Sequence, residues 1–521
     1  MFKTILKLLS ILIFIPLVYI LLLILPDEIF HFFNPNYPFK FEFSEVKKMY
    51  ILSFLFSVMP LRQKIFFSII IFISIFLEFT YFNFFGKLLT PYDILLFFQH
   101  INETFDGLIS DFKIIYIPLL IVIICGFIFI QVILYLDKYS YKCKYGLYLY
   151  LLGVFSLSFI ISYKVYVKKT DALEKFPYNY SPAIRNFLKS INYLIVVTIP
   201  NSFHHSTKTY NPSRKILKDP KVNIIFIIGE SFRAKNAQIL GYDKENMPNL
   251  TKMKNNREIV VKTAISAGTM TKVSVSYMIN QVSKVEESDK IYTGEFSLFK
   301  LAKNNGFYTF FATDQSKDDF RLIYSLIEPK SIHKMIIPEH RLYDKNLLKI
   351  VTKIDLTKPT FLVLQMSGSH IPYKEKYPLE FNKFKSAYDN SILYTDYVLS
   401  NLFKIIKNKK NILPTYIFFV SDHGEMLGER GLRGHGHLEK EVYMVPFIYT
   451  SNHKNQFIDE YLKNKIITQY EISQLISKLI GYEYNLTKSN IMEVVGKDIE
   501  GYAGYKILDR KSLKEIKLLY K

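Results

Sequence analysis

Cysteine is almost missing from this chain: there are two in 521 residues, Cys125 and Cys143. That scarcity excludes a disulfide framework and a cysteine-rich zinc module. No thiol follows Cys143, so the later part of the chain must hold together through its core and any metal it binds. Tryptophan is absent while Lys, Ile, Asn, Phe and Tyr abound, a bias that carries no functional reading. Acidic residues are in deficit, 46 Asp and Glu against 67 Lys and Arg, which leaves a net charge of +21. Nor is the chain poor in apolar residues: half are hydrophobic and 16% are aromatic, which excludes a disordered chain. The length excludes one small domain. A high apolar content beside a large positive charge indicates one part built for lipid and another built for water.

The apolar residues are gathered at the front. Leu8–Leu25 has no charged residue, Ile65–Gly86 is apolar apart from Glu78, Ile114–Leu136 is the strongest run, and Gly146–Tyr163 is a fourth. About 20 apolar residues suffice to span a bilayer. Met49–Leu61 is a shorter fifth candidate, flanked by Lys47, Lys48 and Arg62. With the N-terminus inside, five crossings put the loop Asp137–Tyr145, with Lys138, Lys142 and Lys144, on the cytoplasmic side together with Arg62–Lys64. Four crossings would place that basic loop outside, against the positive-inside tendency. Lys168 and Lys169 pull weakly the other way. The expectation is a membrane domain of five transmembrane helices over 1–163, a connector over 164–220 and an exported domain over 221–521. The loop Lys87–Lys113 then faces out, beside the exported domain. Leu25 is followed by Pro26-Asp27-Glu28 with no small-residue cleavage site, so the first segment reads as an uncleaved anchor. Glu78 reads as a headgroup-level residue near its helix end, or as a functional acid. Ile184–Ile199, mixed apolar and basic, would lie on the membrane surface or pack on the exported domain.

From Lys221 the pattern changes. Val222–Ile228 is a short apolar run ending at Gly229, a buried strand by pattern. Similar runs recur at Phe307–Thr313, Thr360–Gln365, Thr415–Val420 and Phe447–Thr450, with helical patterns at Ser386–Lys407 and Glu471–Ile480. Strands alternating with helices indicate an α/β sheet covered on both faces. Ligands of such sheets bind outside the carboxyl ends of the strands.

Each of four strand ends delivers polar residues: Gly229-Glu230-Ser231, Asp314-Gln315-Ser316, Gln365 to His370, and Ser421-Asp422-His423-Gly424-Glu425. One Ser-Asp-His-Gly is an ordinary turn more often than a site, but four coincident strand ends point to a metal-assisted active site. Glu230, Asp422 and His423 supply two carboxylates and an imidazole, a mixed set that suits zinc, with manganese as the alternative. A hydroxyl ligated at an open metal position becomes a nucleophile near neutral pH. Candidates lie in the small-residue stretch 266–276, where Thr269, Thr271 and Ser274 are equivalent by sequence. That stretch reads as a loop entering a helix, whose N-terminus favours a phosphate. His370, His435 and His437 are candidates for a second metal, a phosphate contact or a proton donor.

In these residues the sequence resembles the membrane-anchored phosphoethanolamine transferases of Gram-negative bacteria, lipid A modifying enzymes and mobilised colistin resistance proteins among them, within the alkaline phosphatase and sulfatase superfamily. The resemblance covers nearly the whole chain. It is carried by Gly229-Glu230-Ser231 with Arg233 and Gly241-Tyr242, by Ala267-Gly268-Thr269-Met270-Thr271 with Ser274-Val275, and by Ser369-His370 and Tyr388-Asp389-Asn390. Ser421 to Glu425 with Gly428-Glu429, Gly431, His435 and Val445-Pro446 completes it. It implies an alkaline phosphatase/sulfatase-like α/β catalytic domain in the periplasm, anchored in the inner membrane. It implies Thr271 as nucleophile, Glu230, Thr271, Asp422 and His423 as zinc ligands, and His370, His435 and Glu425 close to metal and substrate. It further implies that Thr271 attacks phosphatidylethanolamine, releases diacylglycerol, and passes phosphoethanolamine to lipid A, core oligosaccharide or another envelope acceptor. The family commonly has Cys where this chain has Ala267 and Tyr277, and Pro at Ser276, so the disulfide that braces the nucleophile loop in relatives is missing here.

The alternative is a phosphoglycerol transferase or phosphodiesterase of the same superfamily, against which the Gly-Thr-x-Thr context argues. A true sulfatase needs a Cys/Ser-x-Pro-x-Arg pattern, and none surrounds Ser274 or Ser276. A non-catalytic membrane-anchored binding protein has no need of the full ligand set. Positive charge alone would allow nucleic acid binding. An exported, tethered domain rarely meets nucleic acid, so the expected partners are the membrane, its anionic lipids and an envelope acceptor. Acceptor contacts are expected in Lys87–Lys113, where Tyr92, Asp93, His100, Asn102 and Thr104 offer polar groups.

Overall fold

The computed structural model describes residues 10–99, 113–140, 142–168, 182–202, 208–338, 343–463, 466–486 and 489–520. Two compact units emerge: Met1–His204 with Gly428–Arg433, and His205–Leu427 with Gly434–Lys521.

The first unit is helical: α1 Ile15–Phe33, α2 Phe43–Ser57, α3 Leu61–Phe85, α4 Pro91–Gln99, α5 Lys113–Leu136, α6 Gly146–Ser162 and α7 Ala183–Tyr193. Among the described residues, four stretches are long and apolar enough to cross a membrane by length and composition: Leu12–Phe33, Leu61–Phe85, Ile114–Tyr139 and Gly146–Val167. The fifth expected crossing is α2, which starts and ends earlier in the chain than the apolar run Met49–Leu61 suggested. Its 15 residues rise about 22 Å, less than the ~30 Å hydrocarbon layer. In the turn after α2, Val58 O accepts from Cys143 N at 2.9 Å, which joins the start of α3 to the link between α5 and α6. Inside the bundle, Tyr19, Phe56, Phe72 and Phe129 meet edge to face or tilted at 5.5–6.1 Å. Gly126 faces Phe72, where an added Cβ would already touch the ring at 3.4 Å. Large apolar side chains such as Phe66, Ile123, Phe127 and Phe159 point outward, as lipid contact requires.

Several buried charged residues of this unit are paired inside it. Lys64, fully buried at the start of α3, reaches Asp137 beyond the end of α5 at 2.9 Å, and Lys142 holds the other Asp137 oxygen at 2.9 Å. The two segments expected on the cytoplasmic side are thus joined. Glu78 is fully buried within the unit and accepts from Leu89 N at 3.0 Å and Asn186 Nδ2 at 2.8 Å. The stretch from Ile184 packs within the first unit, in one core with Ala183 and Leu188. It forms α7, whose first amide, Ala183 N, donates to the buried Asp27 at 2.8 Å. Asp27 also accepts from Tyr37 Oη at 2.7 Å. A helix N-terminus attracts a carboxylate, which explains why α7 is drawn inward. Of the expected acceptor contacts, Tyr92 and Asp93 are buried on α4, and His100, Asn102 and Thr104 lie outside the described residues.

The second unit is built on β1 Asn223–Gly229, β2 Val260–Ile265, β3 Tyr308–Thr313, β4 Lys334–Ile336, β5 Thr360–Gln365, β6 Thr415–Ser421, β7 Met444–Ser451 and β8 Ile466–Thr468. They form one sheet in the order β8-β2-β7-β6-β1-β5-β3-β4. β7 runs antiparallel to β2 and β6, and the other pairings are parallel. The central strands β1, β5 and β6 are buried along their whole length, which is why they read as unbroken apolar runs. Side chains alternate across a strand. Ile224, Phe226 and Ile228 pack toward α8 Thr271–Ile279 and α10 Gln469–Ile480 on one face. Ile225 and Ile227 pack toward α9 Ala387–Lys407 on the other. The expected α/β sheet covered on both faces is borne out. A second sheet, β9 Ile491–Val495, β10 Tyr505–Asp509 and β11 Glu515–Leu519, is antiparallel.

The Lys64–Asp137 pair gives a test. Removing one partner of a buried pair costs about 3–5 kcal/mol, whereas replacing both by apolar residues is often neutral. Lys142 stays with Asp137, so Lys64→Met should cost about 2 kcal/mol and Lys64→Met/Asp137→Leu clearly less. Thermal unfolding in detergent checks this; a double variant no more stable than the single one contradicts it.

Candidate active site

β1 and β6 are hydrogen-bonded in parallel with Gly229 opposite Ser421. The residues that follow, Glu230 and Asp422, therefore leave the sheet side by side at its carboxyl edge. A Cβ on Gly229 would stand 2.8 Å from Phe419 Cζ, so glycine lets the two strand ends close up. Among the described residues, Glu230, Asp422 and His423 each offer one ligand atom, all within 4.8 Å of one another, and all three are buried.

Each of the three is aimed by its neighbours. Asp422 Oδ1 accepts from His423 N at 2.6 Å and Ser231 N at 3.1 Å, while the buried Oδ2 has no hydrogen-bond partner. His423 Nδ1 donates to Gly424 O at 3.0 Å, which leaves the Nε2 lone pair turned to the cluster. Nε2 lies 3.3 Å from Asp422 Oδ2 and 3.6 Å from Glu230 Oε1. Glu230 accepts from Ser231 Oγ at 2.9 Å and Gln315 Nε2 at 2.9 Å. Burial, then the Asp422 charge, pushes the Glu230 carboxyl up to about 7. Burial also pushes Asp422 up to about 6. Burial, then the neighbouring His435, takes His423 down to about 4. Two crowded carboxylates, a neutral imidazole and an orphaned oxygen make a donor set that fits a divalent cation.

The structure separates the three hydroxyls that sequence left equivalent. Thr271 opens α8, and its Oγ1 lies 3.2 Å from Glu230 Oε2 and 3.2 Å from His423 Nε2. Ser274 Oγ is spent on Gly268 O at 3.0 Å, and Thr269 is fully buried. Gly268 must be glycine, because a Cβ there would lie 2.5 Å from Val273 Cγ1. The loop is braced without a disulfide. Thr269 N donates to Val495 O at 3.0 Å, Val495 N to Ala267 O at 2.8 Å, and Gly436 N to Thr269 O at 2.8 Å. Tyr277, one of the positions where the resemblance led to an expectation of cysteine, is buried and donates to Ile499 O at 2.7 Å.

His435 stacks on His423 at 4.6 Å between ring centroids, and His370 stands 5.2 Å from His435. Glu425 is fully buried, with Oε2 3.8 Å from His435 Nδ1 and no hydrogen bond to either carboxylate oxygen. These residues are thus gathered beside the cluster; His437 is buried two positions beyond His435. Arg233, buried, donates to Glu425 O at 3.1 Å and Asn236 Oδ1 at 2.6 Å, and Tyr388 Oη links Ser231 O and Arg233 N. Sequence reasoning assigned no role to Gln315, although it flagged that strand end. It missed Asp344, which accepts from Ser367 N at 2.6 Å and Gly368 N at 3.0 Å and so shapes the loop before His370. Gly368 has φ +53° and lies so close to Glu230 that a Cβ would be 2.6 Å from its carbonyl oxygen.

A family model described as Sulfatase matches residues 222–482. The phosphoethanolamine transferase EptA of Helicobacter pylori is 30% identical over 258 residues, 44% of this chain and 47% of the relative. The Kdo(2)-lipid A phosphoethanolamine 7''-transferase of Escherichia coli is 26% identical over 251 residues, 42% of this chain and 43% of the relative. The chain spans about half the length of the curated relatives it matches. In fold it is similar to the integral membrane lipooligosaccharide phosphoethanolamine transferase A of Neisseria meningitidis, with a TM-score of 0.59 and 17% identity over 91% of this chain and 97% of that one. The match to the family model takes in half of the chain, with β1, β6 and every residue of the cluster inside it, and the chain therefore belongs to the sulfatase family.

Proposed function

We propose that this chain is a zinc-dependent phosphoethanolamine transferase, a multi-pass protein of the bacterial inner membrane whose catalytic unit works in the periplasm. The observation that carries the reading is the Thr271 hydroxyl, held 3.2 Å from both a carboxylate oxygen and an imidazole nitrogen of a cluster fit for a divalent cation. The names of the relatives support the group transferred, and those naming lipid A support an acceptor of that class.

Glu230, Asp422, His423 and the Thr271 oxygen would hold the ion. Zinc bound there would supply positive charge that favours loss of a hydroxyl proton and offsets the charge growing on a phosphate. Thr271 Oγ1 attacks the phosphorus of phosphatidylethanolamine. The bond formed is P–Oγ1, and the bond broken joins phosphorus to the glycerol oxygen of diacylglycerol. The Thr271 proton is given up to solvent when its oxygen joins the ligand set, since Glu230 must itself be deprotonated to serve as a ligand. The leaving oxygen takes a proton from His435, whose Nδ1 faces the buried Glu425 at 3.8 Å. The first amides of α8 face the phosphate. An acceptor hydroxyl or protonated phosphate oxygen then attacks the same phosphorus and gives its proton to the now neutral His435, while the P–Oγ1 bond breaks and the Thr271 oxygen returns to its starting, deprotonated state.

Intact mass measured after incubation with phosphatidylethanolamine should show one phosphoethanolamine on the wild-type chain and none on Thr271→Ala. Turnover of that variant should fall at least ~10³-fold. An adduct that persists without Thr271 refutes the assignment.

Zinc must displace protons from its ligands, so affinity falls as pH falls. With Glu230 raised to about 7 and Asp422 to about 6, the loss should lie between about pH 7 and 5, above the range of ordinary carboxylates. His423, lowered to about 4, stays neutral there and adds nothing. Calorimetric titration of the metal-free protein should show tighter binding at pH 7.5 than at 5.5; equal affinity at the two refutes this.

A further inference from the structure

Gln469 is the first residue of α10 and is fully buried. Its backbone is pinned from three sides. β8 pairs with β2 up to Thr468 opposite Ile265. Thr468 and Glu471 form a reciprocal cap at the helix start, with Glu471 N to Thr468 Oγ1 at 3.2 Å and Thr468 N to Glu471 Oε2 at 2.8 Å. Arg510 grips both Glu471 oxygens at 2.7 and 2.9 Å. The side chain that starts from this fixed point uses both ends of its amide. Gln469 Oε1 accepts from Ala267 N at 2.7 Å, and Gln469 Nε2 donates to Ser421 O and Asp422 O, each at 2.8 Å.

One amide therefore ties two loops that leave different strands. Ala267 lies four residues before Thr271, and Ser421 and Asp422 lead directly to the ligand pair. The other backbone braces of the Thr271 loop run to Val495, Gly436 and Tyr443, none of which belongs to the Ser421–His423 segment itself. Whether Thr271 Oγ1 stands 3.2 Å from His423 Nε2 depends on how the two loops are placed against each other. An offset of about 1 Å in a reacting group costs about 10²-fold in rate.

We propose that Gln469 is a positioning residue, which sets the Thr271 loop in register with the Asp422–His423 loop through its two-ended amide. The proposal rests on Thr271 as nucleophile. Gln469 touches neither substrate nor metal; it acts through the two loops. Glutamine suits the task because the site needs one acceptor and one two-proton donor at a fixed separation. Methionine has the shape but neither function, and glutamate keeps the acceptor yet turns a charge toward two carbonyls.

The test uses the full-length protein in detergent, with Gln469→Met and Gln469→Glu beside wild type. Three quantities are read: bound zinc, steady-state kcat and KM with phosphatidylethanolamine, and amide hydrogen exchange of residues 266–272 in metal-free protein. The expected result is zinc content equal to wild type, kcat lowered about 30- to 100-fold with KM within about 2-fold, and faster exchange of the 266–272 segment. A folded, zinc-loaded Gln469→Met with wild-type kcat and unchanged exchange overturns the proposal. Loss of zinc together with thermal stability in both variants also overturns it, since that is a merely structural role. If Gln469→Met does not fold, Gln469→Glu carries the same three readouts. If wild type makes no phosphoethanolamine adduct, the transferase reading fails, and faster exchange in the variants still supports the clamp.

Discussion

Two carboxylates that share a buried site repel each other, and here the backbone leaves them no room to part. The parallel register of β1 and β6 sets Gly229 opposite Ser421, so Glu230 and Asp422 emerge together. Water does not screen them, because both are buried. The surrounding structure answers that strain in part. Backbone amides take one Asp422 oxygen, and Ser231 and Gln315 take the Glu230 oxygens. Asp422 Oδ2 is left without a donor. An orphaned oxygen beside a neutral imidazole and a second carboxylate is the chemistry of a cation site, and the rest of the catalytic proposal depends on it.

The remaining features of the second unit bring other groups up to that cluster. Small residues make the approach possible: Gly268 lets the loop turn into α8, and Gly368 lets the His370 loop lie on Glu230. Hydrogen bonds then fix what close packing permits. Val495 and Gly436 hold the Thr271 loop, Asp344 holds the loop before His370, and Arg233 holds Glu425. In a chain with so few thiols this is how rigidity is reached. The first unit follows the same rule in an apolar setting, where Lys64, Asp137, Asp27 and Glu78 each find a partner within the helices.

The central sheet was legible because its strands are buried on both faces. The run Val222–Ile228 became β1 within a residue, and Thr360–Gln365 became β5 without change. Short or half-exposed strands such as β4 and β8, and the antiparallel β9–β11, carry no such run and escaped notice. The cluster was legible for a related reason, since strand ends of a parallel sheet share one edge. The choice of Thr271 among three hydroxyls came at first from resemblance alone, and now has a geometric counterpart in the hydroxyl's place between Glu230 and His423. Gln315, Asp344 and Gln469 were out of reach because an amide or an acid in a polar turn does not reveal what it faces. The inward placement of α7 was hidden likewise: its anchors, Asp27 and Glu78, lie more than a hundred residues away in sequence.

The central claim is that one divalent ion is held by the Glu230–Asp422–His423 cluster with the Thr271 hydroxyl. X-ray absorption at the zinc edge, on the full-length protein loaded with one equivalent of zinc, reads the ligand shell directly. The account predicts a shell dominated by oxygen with the scattering of a single imidazole. A shell with two or more imidazoles would contradict it, because the ion would then sit with His370 and His435 instead of at the strand ends.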